Sequence, residues 1–285
     1  MILYSNDNKG SFPRTIWYVN LYYNNPTDTF AGLRGFSDQV ASDPFNNASN
    51  LLADDVLPPW QVNKRPGDND VTACLFLLLK TYQLPAALFV CPARFDMYPD
   101  TFGTLGVAGA STNPVLRSNF SSAYNLSYSI SLPFPPSNAW SIGYRWGIAA
   151  NAGFAIMADL NPGERFSDCC CITHSGLYGG NGPQTPFDPS NLQAMANSRN
   201  HNKKGQNVLF ADGHCEWSAT AFAGYNQDNI YSYAGPPGVT SGLTNQWTTG
   251  SQVPSPWTLI NPNDSIMQPN EGDMINTTNG GLGIN

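Results

Sequence analysis

The stretch NHNKKGQNVLFADGHCEW, residues 200–217, decides how the sheet of this chain is read. Asn207 to Ala211 is a short, mainly apolar run, Asp212-Gly213 is a turn signal, and His214 to Trp217 is a second run. Asp and Gly best tolerate the positive φ that both central residues of a type I′ turn require. The spacing therefore predicts a two-residue hairpin turning at Asp212-Gly213. Such a turn sets Ala211 opposite His214, Phe210 opposite Cys215, Leu209 opposite Glu216 and Val208 opposite Trp217. Alternation then gathers Val208, Phe210, Cys215 and Trp217 on one apolar face, the expected core face, with His214 and Glu216 on the other.

The same stretch holds two of the three histidines. His201, Asp212 and His214 are candidate ligands for a divalent metal, or an acid–base set, if the hairpin tip gathers them. Turn chemistry accounts for Asp-Gly without any ligand, because the backbone alone demands those residues, and this is the favoured reading. No G-x-S-x-G elbow recruits His174 or His201 into a nucleophilic triad, and no spacing selects a pair of carboxylates for glycoside hydrolysis. The acidic groups Asp54-Asp55 and Asp68-Asn69-Asp70 match no EF-hand loop. No catalytic residue, cofactor site or metal set is assigned on these patterns.

Composition narrows the classes. Only 12% of the 285 residues are charged, with 26 Gly and 23 Pro, which predicts long loops. A net charge of −7 and only 13 basic residues exclude nucleic acid as a partner, since phosphate binding needs clustered Lys and Arg. The six cysteines contain no CxxC pair, so a zinc ribbon or thioredoxin motif is absent. An even count on a polar, weakly charged chain predicts an oxidising compartment and at least one disulfide, with Cys91 as the expected participant and Cys215 as a buried thiol. The longest apolar run, CLFLLL at 74–79, falls far short of the roughly 20 residues of a membrane span.

Along the chain, Met1 to Asn8 is expected to be helical, with Lys9 at the negative dipole end and Gly10 as a left-handed cap. The helix opens without an N-cap and so is expected to continue one encoded upstream. Strands are expected over 15–23, 88–91, 124–131, 140–148 and 153–159. A short helix is expected near 50–53 and a longer one over 70–82, capped by Asp70 with Val71, Cys74, Leu75, Leu78 and Leu79 as its apolar stripe. Residues 163–200 are expected to be a long polar loop. Two units follow: an α+β domain over 1–233 and an extended Gly/Pro/Asn-rich arm over 234–285, in which Trp247 or Trp257 anchors on another copy.

The ordered motifs MILYSNDNKGSFP, LFLLLKTYQLPAALFVCPA, FAIMADLNPG and NHNKKGQNVLFADGHCEW, followed by DNIY, carry a resemblance over roughly residues 1–233. Together they resemble the prepilin-like, type II secretion-associated proteins of Planctomycetes and Verrucomicrobia, which have a cleaved, methylated N-terminal helix and a C-terminal H-X(9)-DG domain. This chain departs from that pattern in two respects. Ten residues separate His201 from Asp212, and the hydrophobic N-terminal helix with its cleavage site is missing. The resemblance implies a pilin-like α+β fold, with an N-terminal helix remnant followed by an antiparallel β-sheet with long loops. It further implies a non-catalytic structural subunit of an extracellular or cell-surface filament whose partners are other copies of itself, attached to the membrane only through the missing helix. The alternative is a secreted carbohydrate-binding surface protein or adhesin that stacks cell-surface glycans on Trp140, Tyr144 and Trp146 of the 140–148 strand.

Overall fold

A computed structural model describes residues 1–15, 71–102, 113–116, 119–120, 123–135, 139–162, 186–231 and 261–267. The described residues form a mixed α+β protein around a four-stranded antiparallel sheet in the order β1-β2-β3-β4. The strands are β1 (Tyr128–Ile130), β2 (Ala155–Asp159), β3 (Gln206–Phe210) and β4 (Cys215–Ser218). Among the described residues, three α-helices accompany them: α1 (Ile2–Asp7), α2 (Val71–Tyr82) and α3 (Ser190–Ala196). No described helix is long and apolar enough to cross a membrane.

The hairpin forms, but one residue out of the expected register. Leu209 faces Cys215, Val208 faces Glu216, Asn207 faces Trp217 and Gln206 faces Ser218. The loop has three residues, Ala211 to Gly213. The Phe210 N–H donates to His214 O at 3.0 Å, and the Gly213 N–H donates back to Phe210 O at 3.0 Å. Only Gly213 takes a positive φ, at +93°. This is a type I turn followed by a glycine bulge, in place of the type I′ turn expected at Asp212-Gly213. Because side chains alternate, the one-residue slip reverses β4. Val208 and Phe210 are buried as expected, while Cys215, Glu216 and Trp217 all stay exposed. The expectation that Cys215 is a buried thiol is therefore corrected.

The sheet separates two apolar cores. On one face, Ile130, Ile156 and Ala211, with Tyr128, Met157 and Leu209 alongside, pack against α1 and α2. On the other, Ala155, Ala158, Val208 and Phe210 pack against Ala196 of α3, Ala221, Ile230, Tyr231 and Met267. An irregularity between Ala155 and Met157 lets neighbouring β2 residues serve both cores.

Helix α2 carries all five predicted stripe residues in the core, but Thr72, Ala73 and Phe76 are buried too. Its first two turns are therefore enclosed on every side, which suits an interior helix better than an amphipathic surface one. Phe76 meets Phe120 edge-on at 5.1 Å. Helix α1 ends one residue earlier than expected, at Asp7, and after Asn8 both Lys9 (φ +54°) and Gly10 (φ +82°) are left-handed, with the Gly10 N–H donating to Ser5 O at 2.8 Å. Tyr4 meets Tyr82 edge-on at 6.4 Å, and the Tyr82 hydroxyl donates to Asp7 Oδ2 at 2.6 Å.

Several expected elements are replaced. Residues 86–89 form a 3-10 turn opening at Pro85, not a strand ending at Cys91. Residues 140–148 form turns around Gly143 (φ +98°), not a strand. The segment is held by an isolated antiparallel bridge between Gly147 and Ser11, by the Tyr144 hydroxyl on Leu132 O and by the Trp146 indole N–H on Pro13 O at 3.1 Å. The polar loop expected over 163–200 contains α3, which starts just after Pro189. Strands β1 and β2 are shorter than the runs 124–131 and 153–159 suggested. The expected strand at 15–23 beyond Thr15, the helix near 50–53, the Asp70 cap, the Asp54-Asp55 and Asp68-Asp70 groups, and Trp247 and Trp257 lie outside the described residues.

One part of the expected arm belongs to the domain core. Met267 bridges to Ser131 in antiparallel fashion, its N–H donates to Ile230 O at 2.8 Å, and its carbonyl accepts from Asn161 Nδ2 at 2.8 Å. Here Asp228 and Asp264 are both buried against each other. Burial first, and then the Asp264 charge, push the Asp228 carboxyl well above its ordinary range.

Two outcomes follow from this packing. A valine at Gly213 must adopt φ +93° with its Cβ 3.2 Å from Ile2 Cγ1, so Gly213→Val should lower stability by about 1–3 kcal/mol in urea unfolding. A carboxyl with a raised folded pKa contributes stability that is full below its unfolded value and is lost as pH rises through the folded one. Asp228→Asn should therefore gain stability relative to the parent as pH is raised from 4 to 8, read from melting curves across that interval.

Candidate functional site

The coil that leads into β3 aims one histidine at the sheet. Ser198 begins it, its hydroxyl accepting the Asn200 N–H at 3.3 Å, and residues 199–201 make a 3-10 turn. Asn202 and Lys203 then take left-handed conformations at φ +55° and +62°, which reverses the chain. Short polar residues such as Asn adopt this region most readily, so the run HNKKG suits the reversal. Gly205 completes it because a Cβ there would lie 2.3 Å from Ser218 O and 2.7 Å from the Trp217 ring. Trp217 thus closes over the coil and meets the His201 imidazole edge-on at 5.0 Å.

The target of that coil is Asp159, the charged residue that closes the apolar strand β2 and pairs with Tyr128. Its carboxylate is buried and well supplied with donors. Asn200 Nδ2 donates to Oδ1 at 2.7 Å, the Asn207 N–H donates to Oδ2 at 2.7 Å, and His201 Nε2 lies 3.1 Å from Oδ2. The Tyr231 hydroxyl donates to the Asp159 carbonyl at 2.9 Å. Asn200 also reaches Ser127 O at 2.7 Å, so its one amide ties the coil to both β2 and the lead-in to β1.

Cys91 completes the cluster. The 3-10 turn at 86–89 delivers it, and the Cys91 N–H donates to Ser127 Oγ while the Ser127 N–H donates to Phe89 O. Cys91 Sγ lies 3.7 Å from His201 Nε2. Burial raises the thiol pKa and the Asp159 charge adds to it, while a hydrogen bond from the Ala93 backbone and the Arg94 charge oppose it. Burial also pushes the nearby Tyr128 hydroxyl up to about 12, with Cys91 and Asp159 contributing. The arrangement differs from a nucleophilic triad, in which opposite imidazole nitrogens serve nucleophile and carboxylate. Here a single nitrogen, Nε2, faces both sulfur and carboxylate.

The three candidates from the sequence do not meet. His201 joins Asp159 and Cys91, while Asp212 and His214 pair with each other at the hairpin tip, His214 Nδ1 to Asp212 Oδ1 at 2.5 Å. The two places are separated by the length of β3, roughly 16 Å. At the tip, the His214 backbone N–H donates to Asp212 Oδ1 at 3.0 Å and the imidazole stacks on Phe210 at 4.3 Å. Those two hydrogen bonds from His214 lower the Asp212 pKa. That is the turn chemistry expected of Asp-Gly. His174 lies outside the described residues.

Asp159 was missed in the sequence, although its signal was present as a carboxylate ending the apolar run FAIMA. Cys91 was singled out for a disulfide. It is instead a free thiol, as is the exposed Cys215, and Cys169 to Cys171 lie outside the described residues. The aromatic row at 140–146 is not a stacking platform: Tyr144 and Trp146 are core residues, and Trp140 is 37% exposed with Arg14 over its ring at 5.9 Å.

The described residues define a mixed α+β protein with a buried polar cluster between sheet and coil. No protein-family model matches the chain, and no curated protein or solved structure matches it. Removing the cluster's carboxylate would strand the buried Asn200 amide and take the acceptor from the partly buried Asn207 N–H and His201. Asp159→Ala should therefore cost about 3 kcal/mol of unfolding free energy, measured by denaturant titration.

Proposed function

We propose that this chain is a structural subunit of an extracellular or cell-surface filament, self-assembling through copies of itself without catalysis, on a pilin-like plan. The observation that supports it is the placement of α1. One side of this short N-terminal helix is held by the body of the protein. Ile2 packs against the hairpin tip at Gly213, Tyr4 against Tyr82, and Asp7 accepts the Tyr82 hydroxyl. On another side Leu3 is 61% exposed. A pilin-like subunit needs this division, with one side of the helix for its own sheet and another for its neighbours. The sequential antiparallel order β1 to β4 behind the helix suits the same plan. The low-charge, Asn- and Gly-rich composition and the ordered motifs support the extracellular setting.

Negative-stain electron microscopy of the protein isolated from its source checks this reading. Ordered fibres or arrays are expected, and Leu3→Glu should disperse them into single particles while leaving the melting temperature within a few degrees of the parent. Monodisperse monomers at every concentration would overturn the proposal.

A further inference from the structure

We infer that Cys91, Asp159 and His201 form a binding site for one divalent transition-metal ion of the zinc class, with a fourth coordination position left toward solvent beside His201. The site is separate from the filament reading and survives its failure.

The first support is geometric. Zinc bonds of about 2.3 Å to sulfur and about 2.0–2.1 Å to nitrogen or oxygen, at tetrahedral angles, place sulfur about 3.6 Å from nitrogen and nitrogen about 3.3 Å from oxygen. The protein holds Cys91 Sγ and His201 Nε2 at 3.7 Å, and His201 Nε2 and Asp159 Oδ2 at 3.1 Å. All three donor atoms lie within 4.8 Å of one another. Thiolate, imidazole and carboxylate together suit zinc, cobalt or nickel, whereas calcium and magnesium take oxygen ligands.

The second support is a conflict of protons. His201 Nε2 faces the thiol, the carboxylate and the Asn207 side-chain amide, whose Nδ2 is 3.2 Å away. One ring nitrogen either donates a single proton or accepts one. If it donates to Asp159, it offers no acceptor to Cys91, and the Asn207 amide is left with Asp159 Oδ2 at 3.3 Å. If it accepts, its lone pair faces the carboxylate. A cation at the centre satisfies sulfur, nitrogen and oxygen together.

The surroundings complete the case. Asn200 and the Asn207 backbone fix the Asp159 carboxylate from behind, which is how outer hydrogen bonds orient a metal ligand. The His201 side chain is 24% exposed, giving an ion a way in. The ligands come from three distant segments, so an ion would clamp the 86–91 turn, β2 and the 199–205 coil to one another. Cys91 must lose its proton to bind an ion.

The test uses reduced full-length protein, stripped with chelator and titrated with Co²⁺. Tetrahedral visible bands and a sulfur-to-cobalt charge-transfer band should saturate at one ion per chain and disappear on addition of Zn²⁺. Cys91→Ser should abolish the charge-transfer band. His201→Gln should weaken binding by at least about 100-fold. Circular dichroism of the metal-free variants separates a lost ligand from a lost fold, and the partly exposed His201 carries the test if Cys91→Ser does not fold. Cys215→Ser, and the combined Cys169→Ser, Cys170→Ser and Cys171→Ser variant, should keep the band. Absence of the band in the parent, its survival in Cys91→Ser, or its loss with the Cys169 to Cys171 set would overturn the proposal.

Discussion

The buried carboxylate of Asp159 is the constraint around which the described structure is arranged. A charge removed from water needs several hydrogen-bond donors, or burial costs several kcal/mol. Those donors come from the β3 backbone at Asn207 and from Asn200 and His201 of the preceding coil. Asp159 therefore fixes more than its own strand. It sets the position of the coil, which needs two left-handed residues and a glycine to reach it. It also fixes the start of β3 through the Asn207 N–H.

The hairpin shows how small a local change redirects a fold. With only Gly213 at positive φ, the loop takes in Ala211, and every β4 side chain changes face. Trp217 is thereby released from the core and becomes the cover over Gly205 and His201. The glycine in HNKKG and the tryptophan in CEW are thus one feature, since neither close approach works without the other. The cluster at Asp159 and the turn at Asp212 are both polar, yet they differ in kind. The first is buried and joins distant segments, while the second is exposed and closes on its own neighbours.

Local signals carried much of the secondary structure but little of the site. The apolar spacing of 71–82, the glycine after α1, the apolar run before Asp159 and the existence of the hairpin were all legible, because each depends on residues within a few positions of one another. The hairpin register was not, since Asp-Gly suits two turn types and the choice rests on packing of Ala211 and Gly213 against α1. The aromatic alternation at 140–146 imitated a strand, whereas Tyr144 and Trp146 serve as separate anchors to Leu132 and Pro13. Cys91, Asp159 and His201 are 110 residues apart at the extremes. No spacing rule joins them, and only the hydrogen-bond demand of the buried carboxylate does.

The stitch at Ser131 to Met267 has a further consequence, for the order of events during synthesis. The Ile266 N–H donates to Ser131 Oγ across 135 positions, and the Trp146 indole reaches Pro13 across 133. Contacts this remote in sequence close late, because loop-closure entropy is lost before the contacts form. A chain emerging from the ribosome therefore carries β1 long before Met267 exists to bridge to its end at Ser131. Until then the outer edge of β1 lies open to other chains.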